Sequence, residues 1–467
     1  MKKLTEEANE PYTEAIHPAI DFTENHAYVG QMVPESKTKR SLFLIRDDGK
    51  ISLGTEFELQ NIEFEQVCSR LELGKRWSYQ SIIRFSKGEA PAIEKTQILS
   101  QVREQLSKYI ELRDERLYDF LALWSIGTYF FPIFNSYPYV YVGGVSQSGK
   151  SKLLTLCSCI CFNSILSATM STAILYRIIQ AGRCSLFIDE AGNLHDQNRA
   201  VDFRNLLYSG YRKGAKALRC SRNTDKNFVP DSFEVYGPKM LANIEGLEEV
   251  LESRCIEIIM RRGTSSIAST EIDMKDPVWQ QIRDMIYTFL MQNWKAIKKI
   301  YSEMENDAVL KLRDWENWKP ILSLAKFFDK DILYPKVRAL AIEKVTQKQN
   351  AGSELHEYVL LEVLLSIVNK DGFYSLANIK RRMADLYDSD AWLTERFIGR
   401  LLRRLGFCNS KRMGTGYEYF ITLADVKDLA QGFELSEGSE CSEGNTGQGN
   451  QTETVIEEAV QKCQEEK

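Results

Sequence analysis

The chain has 467 residues, with 60 Lys and Arg against 65 Asp and Glu, a formal charge of -5, and it is 43% hydrophobic and 11% aromatic. That usage excludes a collagenous, fibrous or wholly disordered chain, and the length suggests two to four folded units at about 150 residues each. The charge is uneven: residues 432–467 hold nine acidic and two basic residues and the body ahead of them is +2, so the negative total does not exclude a nucleic-acid partner.

The N-terminus, MKKLTEEANEPYTE, has no apolar stretch of the kind a secretory signal needs. The ten cysteines form no CxxC pair, which suits reduced thiols in a cytoplasmic protein. Residues 120–149 and 153–176 are free of charge. Pro132, Asn135, Ser136 and Pro138 interrupt the first, and Ser, Thr and Asn stud the second. Both read as buried core rather than membrane spans.

In chain order, residues 1–95 read as a small β-rich domain of unknown role. Its clearest hairpin is Ser41–Ile45, the turn Asp47-Asp48-Gly49 and Ile51–Leu53. Residues 96–135 read as a helical linker or collar, with one helix over Ile98–Phe130 broken by Pro132 and Pro138. Residues 136–262 alternate apolar strands with helical segments, the grammar of an α/β core. Residues 263–370 are helical and rich in Trp, 371–431 form a compact basic unit, and 432–467 form an acidic tail too poor in apolar residues to fold.

The sharpest motif is Gly144-Val-Ser146-Gln147-Ser148-Gly149-Lys150-Ser151, which follows the apolar run Tyr139–Val142 and opens a helix. This is the G-x-x-x-x-G-K-S phosphate loop, or Walker A motif. Its glycines let backbone amides curl round phosphate oxygens at a helix N-terminus. Lys150 reaches the β and γ phosphates of ATP, and Ser151 is a ligand for Mg²⁺. The run Cys184–Ile188 then ends in Asp189-Glu190. Read as Walker B, Asp189 holds Mg²⁺ beside Ser151, and Glu190 activates the attacking water. A Glu after the Asp favours hydrolysis over kinase-type transfer.

Pro238–Asn243 is a further apolar strand, whose Asn243 could position the γ-phosphate. Arg254 precedes another strand-like run and suits stabilisation of transition-state charge from a neighbouring subunit. Between the acidic and Asn-ending strands, two extended segments flank the polar turn Asn223–Asn227. They read as a hairpin whose tip carries Arg222, Lys226 and Phe228 to DNA phosphates. In the basic unit, Leu376–Tyr387 and Thr394–Leu405 read as helices and Gly406–Ile421 as a β-wing, a winged-helix grammar. Nine basic and five acidic residues over 373–420 make Arg396, Arg400, Lys411 and Arg412 candidate DNA contacts.

The order Walker A, Walker B with Asp-Glu, hairpin, Asn-ending strand and Ser253-Arg254 resembles AAA+ ATPases of the ring-helicase kind. Ile188–Ala191, Leu207–Ala215, Tyr236–Leu247 and Leu251–Ile256 resemble more closely the superfamily 3-like replicative helicases of phages, plasmids and archaeal mobile elements, grouped with primase-helicases. The resemblance covers about residues 115–330. It implies an AAA+-like P-loop ATPase core with a helical lid, a C-terminal winged-helix unit and the β-rich N-terminal domain. It also implies a homo-hexamer that uses ATP and Mg²⁺ and translocates on or unwinds single-stranded or forked DNA in replication. Lys150, Ser151, Asp189, Glu190, Asn243 and Arg254 take the roles argued above, and Arg313 in the lid is a positional candidate for a second arginine sensor. The alternative is a P-loop ATPase switch acting in regulation or assembly without unwinding.

Overall fold

A computed structural model describes residues 15–34, 40–60, 64, 76–167, 172–189, 201–222, 228–243, 247–263, 265–351, 354–387, 393–413 and 416–432. Glu190, the hairpin turn 223–227 with Lys226, and the acidic tail beyond Gly432 lie outside the described residues. The chain divides into two compact units, Met1–Lys344 and Val345–Lys467.

The first unit opens with an antiparallel meander of β1 (Ile20–Phe22), β2 (Ala27–Pro34), β3 (Arg40–Arg46) and β4 (Ile51–Leu53). Gly49, at φ +84°, closes the turn between the last two strands. Next come α1 (Tyr79–Ser86), α2 (Lys95–Tyr109) and α3 (Arg116–Gly127). The single helix read over Ile98–Phe130 is therefore two. The break is built from side chains: Asp114 accepts from the Arg116 amide at 2.8 Å and starts the second helix. The Tyr118 hydroxyl accepts from the Leu112 amide and donates to the Ile110 carbonyl, both at 2.9 Å. The backbone polar groups freed by the break thus find local partners.

The centre of the unit runs β5 (Tyr139–Gly144), α4 (Lys150–Ile160), β6 (Ile165–Ser167), α5 (Thr172–Gly182), β7 (Leu186–Ile188) and α6 (Val201–Ser209). An excursion, β8 (Lys216–Arg222) and β9 (Phe228–Glu234), precedes β10 (Lys239–Ala242), α7 (Glu249–Glu252) and β11 (Cys255–Met260). Five of these strands form one parallel sheet in the order β11-β5-β10-β7-β6. Covered on both faces, such strands are continuous apolar runs rather than alternating ones. Val140, Val142, Leu186, Phe187, Met240 and Leu241 are all fully buried. Each such side chain contributes about 2 kcal/mol of burial free energy. Beyond the sheet lie α8 (Ser266–Ser269), α9 (Pro277–Glu303), α10 (Leu312–Phe328) and α11 (Leu333–Ala351), whose residues from Val345 on belong to the second unit, with Trp279, Trp294 and Trp318 buried.

The meander is fastened to the core through α5. His17 bonds the Gln180 carbonyl at 2.7 Å, and Arg183 donates to the Ile20 carbonyl at 2.6 Å. Arg183 also lies 3.4 Å from Asp21 and 3.6 Å from Glu234 at the base of the excursion.

The second unit contains α12 (Glu354–Ile367), β12 (Gly372–Ser375), α13 (Leu376–Tyr387), α14 (Glu395–Arg404), β13 (Ser410–Met413), β14 (Gly416–Ile421) and α15 (Leu423–Gly432). Its strands form an antiparallel sheet in the order β12-β14-β13. Thr394 caps α14 by accepting from the Phe397 amide at 3.2 Å. Leu360 and Leu364 of α12 share one core with Ile379, Ile398, Leu402 and Ile421. The helix 354–367, read from sequence as part of the lid, is thus a core element of the basic unit.

Candidate nucleotide site

The candidate site is built at the C-terminal edge of the parallel sheet, where open α/β sheets place their ligands. The loop between β5 and α4 turns sharply through Gly144 at φ +134°, Gln147 at +64° and Gly149 at +91°. Gly144 admits no other residue: a Cβ there would lie 2.2 Å from the Met260 carbonyl oxygen. Gly149 is the N-cap of α4 and provides no side-chain cap, so the first amides of the helix face the loop. Such a chain of backbone amides at a helix start is a concave anion cradle.

Lys150 is buried and spans the loop, its Nζ donating to the carbonyls of Gly144 at 2.7 Å and Val145 at 2.9 Å. The Ser148 hydroxyl is buried with no hydrogen-bond partner, and Ser151 is exposed. Arg262 Nε donates to the Ser146 carbonyl at 3.2 Å and Lys152 Nζ to the Ile267 carbonyl at 2.9 Å. These bonds tie both ends of the loop to the segment after β11.

The ladder brings three strand ends together. Ala242 pairs with Val142 and Leu241 with Ile188, so the following rungs set Asn243 beside Gly143 and Asp189 beside Ala242. Asp189 is half-buried. Its amide donates to the Ser167 carbonyl at 3.2 Å. Asn243 is 4% exposed and accepts a hydrogen bond from the Tyr141 hydroxyl at 2.8 Å. The sequence reading singled out Asp189 and Asn243 as candidates and did not single out Tyr141, which bonds Asn243. The signal for it was period two: Tyr141, Gly143 and Asn243 fall on one face of the sheet.

Among the described residues no group of three or more His, Cys, Asp or Glu could hold a metal ion. The donors present are a serine hydroxyl and a carboxylate, hard oxygen ligands. They fit Mg²⁺, which is held by one or two protein oxygens together with substrate phosphates rather than by a protein cage.

Arg254 lies elsewhere. Its carbonyl accepts from the Tyr139 amide at 3.1 Å, so it sits at the N-terminal edge of the sheet. Across the six residues of β5, that edge is about 17 Å from the phosphate loop at about 3.3 Å per residue. Arg254 is 9% exposed, donates to the Tyr208 carbonyl at 2.8 Å and to the Val250 carbonyl, and stacks 5.0 Å from the centre of the Tyr211 ring. Arg313 stacks on the same ring at 5.8 Å and donates to the Ser253 hydroxyl at 2.7 Å. Burial, and then the Arg313 guanidinium, push Arg254 below the ordinary arginine value.

The excursion is an antiparallel hairpin running to the rung Arg222–Phe228, where the described backbone stops short of Lys226. In the second unit Arg396 and Arg400 are exposed on α14, and Lys411 and Arg412 on β13. Lys411 pairs with Glu418 at 3.1 Å and sits 3.9 Å from the centre of the Phe373 ring.

No family model matches the chain, and no curated protein matches it. Among solved structures the chain is similar to one described as SCCmec type IV Cch, active helicase. That match has 12% identity and a TM-score of 0.39, and covers 91% of this chain and 100% of the other. It is also similar to the A form apo structure of the NrS-1 C-terminal region, at 12% identity and TM-score 0.32, covering 82% of this chain and 94% of that one. No helix among the described residues is long and apolar enough to cross a membrane.

Proposed function

We propose that this chain is a Mg²⁺-dependent P-loop ATPase that works on DNA as a ring of identical subunits, a replicative helicase of the superfamily 3-like kind found in mobile elements. One observation carries the reading. The parallel register sets the phosphate loop, Asn243 and Asp189 side by side at one sheet edge, the three parts a nucleotide triphosphatase needs. In this reading the loop amides and Lys150 bind and orient the phosphates of ATP. Ser151 and Asp189 would hold Mg²⁺, which when bound neutralises charge across the β and γ phosphates. Glu190 takes the proton of the attacking water, and Asn243 fixes the geometry of the γ-phosphate. Arg254 serves the nucleotide of an adjacent copy, since its own loop is across the sheet. Arg222 and Lys226 on the hairpin, and Arg396, Arg400, Lys411 and Arg412 in the second unit, take DNA phosphates.

The test is ATP turnover with and without single-stranded DNA at low salt, beside unwinding of a forked duplex. Turnover should rise with single-stranded DNA, and Lys150→Ala should reduce it to background. Turnover that no DNA concentration raises, with the fork left intact, would move the chain to the alternative of a switch acting in assembly.

A further inference from the structure

The small sheet of the second unit has one face in the core and one toward solvent, and the register separates the two. Tyr374 pairs with Tyr419, and both belong with Ile421 to the core side, where Tyr419 and Ile421 are buried. Phe373 pairs with Phe420, Ser375 and Lys411 pair with Glu418, and Met413 pairs with Gly416. Side chains alternate along a strand, so these residues form the opposite face. A sheet solvated on one side puts apolar residues inside and polar ones outside. This solvent face breaks the rule: Phe373 is 40% exposed, Met413 is 45% exposed and Phe420 is half-buried.

Rings and cations are interleaved here. Phe373 and Phe420 meet edge to face with their centres 5.2 Å apart. Lys411, on the outer strand β13, reaches across β14 and sets its Nζ 3.9 Å from the centre of the Phe373 ring, while pairing with Glu418 at 3.1 Å. Beyond the buried Tyr419 the pattern repeats on the other face of the hairpin. There Arg412 stands opposite Tyr417, and both are exposed.

Two features select the occupant of such a surface. Its apolar groups are mainly rings, whose flat faces suit another flat ring. Each ring lies beside a cation, and residues 373–420 carry nine basic residues against five acidic, so the complement is an anion. A flat ring joined to an anion is a nucleotide. Only an unpaired base has its face free, because a duplex stacks each base on its neighbours.

We propose that this sheet is a stacking platform for single-stranded DNA: an unpaired base lies on the Phe373 ring and displaces Lys411, whose amine takes a phosphate of the same strand. The electron-rich face of the ring holds the amine until a base replaces it, so the lysine shields the apolar patch in the free protein. This rests on the DNA reading above and adds to it a preference for the unpaired strand and a task for Phe373.

The experiment is equilibrium binding of the full chain to a labelled single strand and to a duplex of equal length, over a range of salt concentrations. Phe373 is on the solvent face, so Phe373→Leu leaves the core intact. It should weaken single-strand binding about tenfold, the scale of one stacked base. Duplex affinity should stay within about twofold, and the salt dependence should not change, since no phosphate contact is lost. Phe373→Trp should restore single-strand binding, and Lys411→Gln should reduce its salt dependence. The Phe373→Leu loss should persist in the Lys226→Ala background, which removes a hairpin cation. Single-strand affinity unchanged in Phe373→Leu overturns the proposal, and so does an equal loss on both DNAs. A loss that comes with a smaller assembly in sedimentation makes a second copy of this chain the occupant, and overturns it too. A wild type that binds neither DNA overturns the DNA reading itself, a separate result.

Discussion

Lys239 shows how much of this core depends on one buried amine. It is fully buried at the start of β10 and donates to the carbonyls of Val235, Gly237 and Gly210 at 3.1, 3.0 and 3.3 Å. Its Nζ also lies 4.8 Å from the centre of the Tyr139 ring. Among the described residues no carboxylate pairs with it, and burial pushes its pKa down from 10.5 to about 7. Because the folded value is the lower one, the unfolded chain binds a proton there that the folded chain does not, between pH 7 and 10.5. Stability from this group therefore rises with pH across that window, and the full penalty is present below it. The slope approaches about 1.4 kcal/mol per pH unit. In chemical unfolding at pH 7 and pH 10, the difference between wild type and Lys239→Met should move in favour of the wild type as pH rises. Parallel curves would show that the amine titrates alike in both states. Comparison of the two proteins removes the common contribution of the buried tyrosines.

At the scale of elements, the proposed function gives the hairpin β8–β9 a task separable from hydrolysis. Removing Lys226, which lies in sequence between its two strands, should cost DNA contact and nothing in the nucleotide site. Lys226→Ala is expected to abolish stimulation of turnover by single-stranded DNA while basal turnover stays within about twofold, as the loss of a phosphate contact implies. Loss of basal turnover as well would make the hairpin part of the nucleotide site. The sequence announced this element clearly, because a cluster of polar turn residues between two extended runs is a local signal. The phosphate loop is just as local: glycine positions, lysine and helix start all sit within one short segment. What the sequence hid was what depends on partners far along the chain. Tyr141 and Asn243 are separated by 102 positions, and only the strand order makes them neighbours. The break after Tyr109 was hidden for another reason. Apolar spacing runs through it unbroken, and the side-chain bonds of Asp114 and Tyr118 override that pattern. Helix α12 reads as apolar in either domain, and only the shared core with Ile398 and Ile421 assigns it to the second unit.

At the scale of the whole molecule, the position of Arg254 makes a prediction that no single subunit can satisfy. Arg254→Ala should lose turnover and keep ATP binding, because its side chain lies at the sheet edge away from its own loop. Glu190→Gln, at the proposed general base, should behave the same way. Mixed in equal amounts, the two inactive proteins should regain partial turnover, since roughly a quarter of randomly formed subunit interfaces then pair an intact Glu190 with an intact Arg254. A mixture as inactive as its components would place both groups in one subunit's chemistry.

The chain order around β10 has a mechanical meaning. The hairpin is spliced between β7 and β10, which are neighbours in the sheet, and β10 is gripped along both sides by β5 and β7. A pull on the hairpin reaches the sheet through the Lys239 end of β10 and runs along the strand axis. Two parallel ladders then share the load in shear, with their hydrogen bonds strained together rather than one at a time. The strand is thus a stiff rod with the hairpin at one end and Asn243 at the other. Under the proposed function, force on one end reaches Asn243 as displacement instead of being lost in a yielding loop.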